Sequence, residues 1–284
     1  MKTFKIGEIE ATRVIESEST FLPINKMFPA ATTEAVDPYR HWMEPSALCP
    51  KTGRMILPVQ SYLVRTAHHC ILVDACVGNH KANDFFKPWH NLQSLTWLTN
   101  LAAAGVAPQD IDYVLCTHLH FDHCGWNTRL INGQWVPTFA NAKYVFAREE
   151  FARAERKGGV TFEENLVPIM EAGLGVLVDS NHAIDDQVWL EPTFGHTEGH
   201  VAIHFASQGR RAVMIGDIMH SPIQCEEPDW HSIADENADG ARATRNRILE
   251  QHCDTDTLVM TAHFPSPSIG YFVPGAKAFR FECV

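Results

Sequence analysis

Apolar and polar positions alternate at both ends of the chain and gather into short apolar runs in between. "FKIGEIEATRV" alternates with a glycine inside it, which predicts a hairpin turning near Gly7. "SYLVRTA" and "HHCILVDACVG" read as two paired strands, the second rich in β-branched and apolar residues. Residues 20–58 carry many prolines and little periodicity, so an extended loop region is expected there. "LQSLTWLTNLAAAG" places Leu92, Leu95, Leu98 and Leu101 on one helical stripe, and Gly105 suits a C-terminal cap. "IDYVLCT" and "NAKYVFA" read as buried strands. Helical segments follow near 148–157 and 162–173, the second disturbed by Pro168.

"VWLEPTFG", "HVAIHFA" and "RAVMIGD" then read as three strands in succession. "ADGARATRNRILEQH" reads as a helix, and "TLVMTAH" and "KAFRFECV" as closing strands. Strands, then strand–helix alternation, then strands with a helix predict a layered α/β fold with mixed sheets. No repeat, low-complexity tract or Gly/Ser linker divides the chain. The expectation is a single domain over 1–284 with an N-terminal extension over about 1–55.

Composition narrows the classes. At 45% hydrophobic and 20% charged residues, the chain can bury a core and does not read as disordered. A net charge of −11 with no basic run argues against a nucleic-acid partner. The longest apolar runs, such as "CILVDACV", are too short to span a bilayer, so no membrane partner is expected. No signal-peptide core follows the alternating N-terminus. The eight cysteines form no C-x-x-C pair and read as reduced thiols, which fits a cytoplasmic protein.

Sixteen histidines are many for this length, and four metal-type residues crowd into "CTHLHFDHCGWN": His118, His120, Asp122 and His123. In an extended segment His118 and His120 fall on the same side and can reach one cation. Asp122 and His123 follow where Gly125 supports a turn, and can point at a second. Imidazole and carboxylate suit zinc and other borderline divalent metals. Packed without a cation, four such groups would leave polar atoms unsatisfied.

Other apolar runs end the same way. "TFGHTEGH" supplies His196 and His200, "VMIGD" ends at Asp217, and "VMTAHF" ends at His263. Four loops meeting at one end of packed sheets could build a two-metal site.

The ordered set H-x-H-x-D-H, G-H-T-x-G-H, G-D and A-H resembles the metallo-β-lactamase-fold hydrolases over roughly residues 55–265. The resemblance implies an αββα four-layer sandwich, with metals at one edge of two mixed sheets. It implies His118, His120 and His196 on one metal, Asp122, His123 and His263 on the other, and Asp217 bridging both. His200 matches a position that usually lies behind the ligands, with a ligand role left open. Asp74, in "LVDACVG", is expected to orient a ligand histidine.

Two divalent ions are implied, zinc first, with manganese, iron or cobalt also admitted by the donors. They would activate one water to hydroxide for attack on a carbonyl or phosphoryl centre, with Asp122 passing its proton to the leaving group.

The bridging Asp217 argues against a classical β-lactamase, and His120 argues against the flavo-diiron pattern. Glyoxalase II-like enzymes carry a basic helical extension, whereas only Lys277 and Arg280 are basic after His263. "GDIMHSPIQ" and "AHFPSPSIGYF" resemble most the branch of methyl-parathion-hydrolase-like and N-acyl-homoserine-lactonase-like enzymes. Lactonases of that branch tend to carry a tyrosine three residues after the bridging aspartate. Here His220 stands there, as a candidate donor to the oxyanion or leaving group.

The expected activity is hydrolysis of a lactone or carboxylic ester. Phosphotriester, β-lactam or thioester hydrolysis are the alternatives, with a non-catalytic metal-binding module ranked last. A small-molecule substrate is the expected partner, and a homodimer is plausible by resemblance. Phe21, Phe28, Trp42, Trp126, Asn127, Phe264 and Phe272 are candidate pocket residues. Cys124 reads as a small packing residue.

Overall fold

Pairing begins where the N-terminal alternation predicts it. In this computed structural model, which describes residues 2–284, β1 (Thr3–Ile6) and β2 (Ile9–Pro23) form an antiparallel hairpin. Gly7, at φ +62°, makes the turn, and a Cβ there would lie 2.2 Å from the Ser207 carbonyl oxygen. A side chain at this position would push the hairpin off the opposite sheet.

The first sheet continues with β3 (Arg54–Arg65), β4 (Cys70–Val73), β5 (Tyr113–Leu115), β8 (Lys143–Ala147) and β9 (Gly175–Val178), in the order β1-β2-β3-β4-β5-β8-β9. The strands β4, β5, β8 and β9 run parallel. The second sheet orders β10 (Val188–Pro192), β11 (Val201–Ser207), β12 (Arg210–Met214), β13 (Leu258–Met260), β14 (Ile269–Pro274) and β15 (Phe279–Cys283) in sequence. Only β12 and β13 pair in parallel there, across the crossover helix Ala238–His252.

Three apolar layers account for the stacking. Tyr62, Val64, Ile71 and Leu115 from the first sheet meet Ile203, Phe205, Met214 and Met260 from the second. The outer face of the first sheet packs Leu57, Leu63 and Leu72 against Trp97, Leu101 and Phe151 of helices. The outer face of the second packs Ala202, Val213 and Val259 against Ile248 and Leu249. The result is an αββα sandwich, as expected. Among the described residues, no helix is long and apolar enough to cross a membrane.

Several elements differ from the sequence reading. Strand pairing reaches Pro23↔Arg54, so the loop expected over 20–58 shrinks to its centre and holds short helices at Ile24–Met27, Thr33–Val36 and Arg40–Met43. The helix expected from Leu92 spans only Thr96–Ala103. Trp97 and Leu101, one turn apart, face the core, while Leu95 lies outside it and is 73% exposed. The segment 162–173 divides into Val160–Asn165 and Val167–Glu171, because Leu166 lies within two residues of a proline that supplies no amide hydrogen.

The parallel strands matter for function. The carboxyl ends of β4 and β5 lie at one edge, which is where ligand sites form in parallel sheets. The ends of β12 and β13, and the β10–β11 loop, reach the same edge. There the Val201 amide donates to the Thr117 carbonyl across the two sheets at 2.9 Å.

Candidate metal centre

Each donor follows the end of an apolar strand. His118 and His120 leave β5, and a short helix Phe121–Cys124 carries Asp122 and His123. His196 lies in the β10–β11 loop, Asp217 in the turn after β12, and His263 after β13. The turn is tight. Gly125 packs so closely that a Cβ would lie 1.7 Å from the Val77 carbonyl oxygen.

The structure brings all seven predicted donors into two adjoining groups. His118, His120, His196 and Asp217 form one, and Asp122, His123 and His263 the other, with the donor atoms of each group within 4.8 Å of one another. Asp217 reaches both. Its Oδ2 lies 3.5 Å from His196 Nε2 and 3.8 Å from His118 Nε2. Its Oδ1 lies 3.1 Å from His123 Nε2 and 3.2 Å from His263 Nε2.

Outer-side hydrogen bonds orient the rings. His123 Nδ1 donates to Asp74 Oδ2 at 2.8 Å, His196 Nδ1 to Asp235 Oδ1 at 2.9 Å, and His263 Nδ1 to the Pro58 carbonyl at 2.9 Å. His118 Nδ1 lies 3.1 Å from Thr117 Oγ1, whose hydroxyl donates to Asp74. With the protons held on Nδ1, four Nε2 lone pairs face inward, which is how metal-ligating imidazoles are prepared. Asp74 serves two of these rings from an unusual backbone, at φ 56° just past β4. His120 is reversed. Its Nδ1 faces His118 and His196 at 3.0 and 3.1 Å, and its Nε2 lies 2.9 Å from an Arg153 guanidinium nitrogen. It is the one donor ring whose outer nitrogen meets a group that only donates.

The electrostatics suit cations. Burial, helped by neighbouring imidazoles, keeps His118 and His120 well below the ordinary histidine range. Burial opposes ionisation of Asp217 too, but positive charge on His123 and His263, both raised by Asp217 against burial, outweighs it and holds the carboxyl well down; a cation bound there would displace those protons. Unprotonated imidazoles and an ionised carboxylate are the forms that ligate. His123 Nε2 and His263 Nε2 lie 3.2 Å apart, and the buried Asp217 Oδ1 has no hydrogen-bond partner. Nitrogen lone pairs that face each other around an unsatisfied carboxylate oxygen fit divalent cations.

His200 stands behind the group. Its Nδ1 meets Thr193 Oγ1 at 2.8 Å and its Nε2 accepts from the Asp217 amide at 3.0 Å. Both nitrogens are therefore spent away from the donors, and burial holds the ring down to about 3. His220 belongs to neither donor group. Its Nε2 lies 3.0 Å from Asp217 Oδ2, and the ring lines the adjacent pocket. Burial, despite Asp217, lowers it too, so it stays neutral near pH 7, with its Nε2 within hydrogen-bond reach of Asp217.

That pocket holds about 320 Å³. His120, Asp122, Asp217, His220 and His263 line it together with Phe21, Met27, Leu57, Phe85, Trp89 and Phe121, and Lys157 and Glu236 add charge. Phe21 stacks on Trp89 at 5.1 Å, and Phe121 lies 5.7 Å from Trp89 and 5.9 Å from Phe85. Of the aromatics expected there, only Phe21 lines it. Phe28, Trp126, Phe264 and Phe272 are buried in the apolar layers, Trp42 packs beside Tyr39, and Asn127 is buried behind the motif. Phe85 and Trp89 come from "NDFFKPWH", whose density of aromatics was the available signal. Cys124 is buried and gives its thiol to the His120 carbonyl.

Comparison with known proteins follows the same lines. Residues 55–263 match the family described as the metallo-beta-lactamase superfamily. An N-acyl homoserine lactonase of Bacillus cereus is 27% identical over 170 residues, covering 56% of this chain and 62% of that protein. The N-acyl homoserine lactonase AiiA of Bacillus thuringiensis subsp. kurstaki is 26% identical over 181 residues, covering 60% and 66%. The chain thus matches less than two thirds of the length of these relatives. Among solved structures, the hydrolase AbOPH superposes with a TM-score of 0.80 at 23% identity, covering 99% of this chain and 96% of that one. The dizinc quorum-quenching lactonase AidC superposes with a TM-score of 0.81 at 20% identity, covering 100% and 97%. These two share the fold.

Proposed function

Because the chain belongs to the metallo-beta-lactamase superfamily, we propose that it is a two-metal hydrolase of lactones or carboxylic esters with a compact apolar or aromatic substituent. The observation that carries this reading is the convergence of the seven donors beside a small aromatic pocket, which His120, Asp122, Asp217 and His263 line. Two divalent cations on these residues would supply Lewis acidity and activate the attacking water, with zinc the first candidate.

The remaining roles fall to side chains. Asp122, partly exposed to the pocket, takes the proton released on attack and passes it to the leaving oxygen. Neutral His220, on the other side of Asp217, gives its N–H to the substrate oxygen that gains charge. The aromatic wall excludes water and takes the apolar part of the substrate, and a volume near the lower end for ligand pockets favours short or aromatic groups over long chains.

A second reading, phosphotriester hydrolysis with an aryl leaving group, draws on the same compact aromatic wall. The lactonase relatives favour the first. The eight free cysteines fit a cytoplasmic setting.

The test is a panel of short- and long-chain acyl lactones, aryl esters and dialkyl aryl phosphates, assayed with metal-loaded and chelator-stripped protein. The expected result is metal-dependent turnover with the highest kcat/KM on lactones or esters. Highest kcat/KM on the phosphates would move the assignment to the second reading. No turnover of any of them by fully loaded protein would overturn both.

A further inference from the structure

Neither the family assignment nor the donor motifs account for one buried carboxylate behind the metal loops. Glu150 lies in the first turn of the helix Arg148–Lys157 and is 1% exposed. Its Oε1 accepts from the Leu119 amide at 2.9 Å, and its Oε2 accepts from the Gly199 amide at 3.1 Å. Leu119 sits between His118 and His120. Gly199 follows His196 by three residues in the loop between two strands of the other sheet. One side chain therefore ties together the two backbone segments, one from each half of the sandwich, that carry the three imidazoles of one donor group.

The contact is close. A Cβ at position 199 would lie 2.1 Å from the Glu150 amide nitrogen, so only glycine lets the loop seat on the helix start. Arg153, one turn on and 3% exposed, donates to Glu150 Oε1 at 2.9 Å and grips both Glu236 oxygens at 2.5–2.9 Å. Glu236 adjoins Asp235, the acceptor for His196 Nδ1. Charge-assisted bonds of this kind are short and directional, and deleting their acceptor strands buried donors. The second donor group is held otherwise, His123 by Asp74 and His263 by the Pro58 carbonyl.

We propose that Glu150 is a positioning residue that sets the spacing of His118, His120 and His196, and so governs the affinity of that group alone for its cation. This rests on the two-metal reading above. A carboxylate that merely completed the helix would stabilise the fold without distinguishing the two cations.

The experiment is zinc retention by the full chain. Wild type, Glu150→Gln and Glu150→Asp are loaded, then dialysed against a graded competing chelator, and zinc per chain is counted. Circular dichroism and thermal melting run alongside. Cobalt-substituted samples report the geometry of each ion by their visible spectra.

Wild type should hold two ions. Glu150→Gln should lose one of them at about 10–100-fold lower chelator, the range expected for outer-sphere partners, and keep the other unchanged. Its cobalt spectrum should change for that ion only. Glu150→Asp keeps the charge but shortens the reach, and should fall in between. It decides the matter if the glutamine variant does not fold. Equal weakening of both ions, or no change in either, overturns the proposal. A wild type that holds fewer than two ions would instead bring down the two-metal reading itself.

Discussion

Histidines meet carboxylates and an arginine in two places in this protein, with opposite results. At the metal edge, rings are held from outside by Asp74, Asp235 and the Pro58 carbonyl, so their inner nitrogens face one another. On the outer face of the second sheet, His204 stacks on Trp189 at 5.1 Å and spends its Nε2 on Glu191 at 2.5 Å, and Arg247 takes the other Glu191 oxygen. The cavity beside that second cluster holds about 700 Å³, more than twice the volume at the metal edge. Neither residue type nor cavity size separates the two. What differs is whether each donor atom is spent on its neighbour or left facing a common centre.

The sharpest way to break this contrast is at Asp217, the one carboxylate that reaches both donor groups. Asp217→Asn should bring metal content from two per chain to below one and cut turnover by more than about 100-fold. Metal analysis with steady-state kinetics checks it, and a variant that keeps both ions would remove the bridge from the account. Next come the outer acceptors. Asp235→Asn replaces the acceptor for the Nδ1 proton of His196 alone and should weaken one ion by about 10–100-fold. Asp74→Asn touches both groups, His123 directly and His118 through Thr117, and should weaken both ions. A cobalt spectrum of the Asp235 variant that changed for both ions would merge the groups.

The smallest effect lies in the second cluster. His252 is buried near His204, and burial, with that neighbouring ring, lowers it to about 4 from 6.5. The folded protein resists a proton that the unfolded chain accepts. The stability this lends is complete above pH 6.5 and is lost as pH falls from 6.5 towards 4. In His252→Gln that part of the acid slope should disappear, a difference of at most about 3 kcal/mol near pH 4. Urea unfolding at pH 7, 5.5 and 4.5 reads it. Parallel slopes in both proteins would show that His252 titrates alike folded and unfolded.

Donors and wall were not equally legible in the chain. The seven donors sit in short motifs directly after apolar strands, so spacing marks them as candidates, while the family resemblance separates His196 from His200. Helix Arg148–Lys157 and the crossover helix also carry their own signals. The β6–β7 hairpin (Thr128–Ile131, Gln134–Pro137) lies outside the expected elements, although Asn132-Gly133, both at positive φ, is a strong turn signal. The wall was harder. Phe264 and Phe272 look as suitable as Phe85, but packing against the outer helix takes them inside, and no periodicity in "NDFFKPWH" tells which way its rings turn. Glu150 and Arg153 read as an ordinary charged helix face, because the partners that give them meaning lie 31 to 83 positions away.

The donors also come from both sheets, which has a mechanical consequence. His118, His120, Asp122 and His123 hang from one layer, and His196, Asp217 and His263 from the other. Ions seated among them act as rivets, so prising the layers apart also means releasing the cargo. Folding and loading are then one linked equilibrium, and a thousandfold excess of free ion over its dissociation constant adds about 4 kcal/mol against unfolding per ion. Scarcity of metal would thus be felt first as a softer sandwich, along a seam far longer than the site.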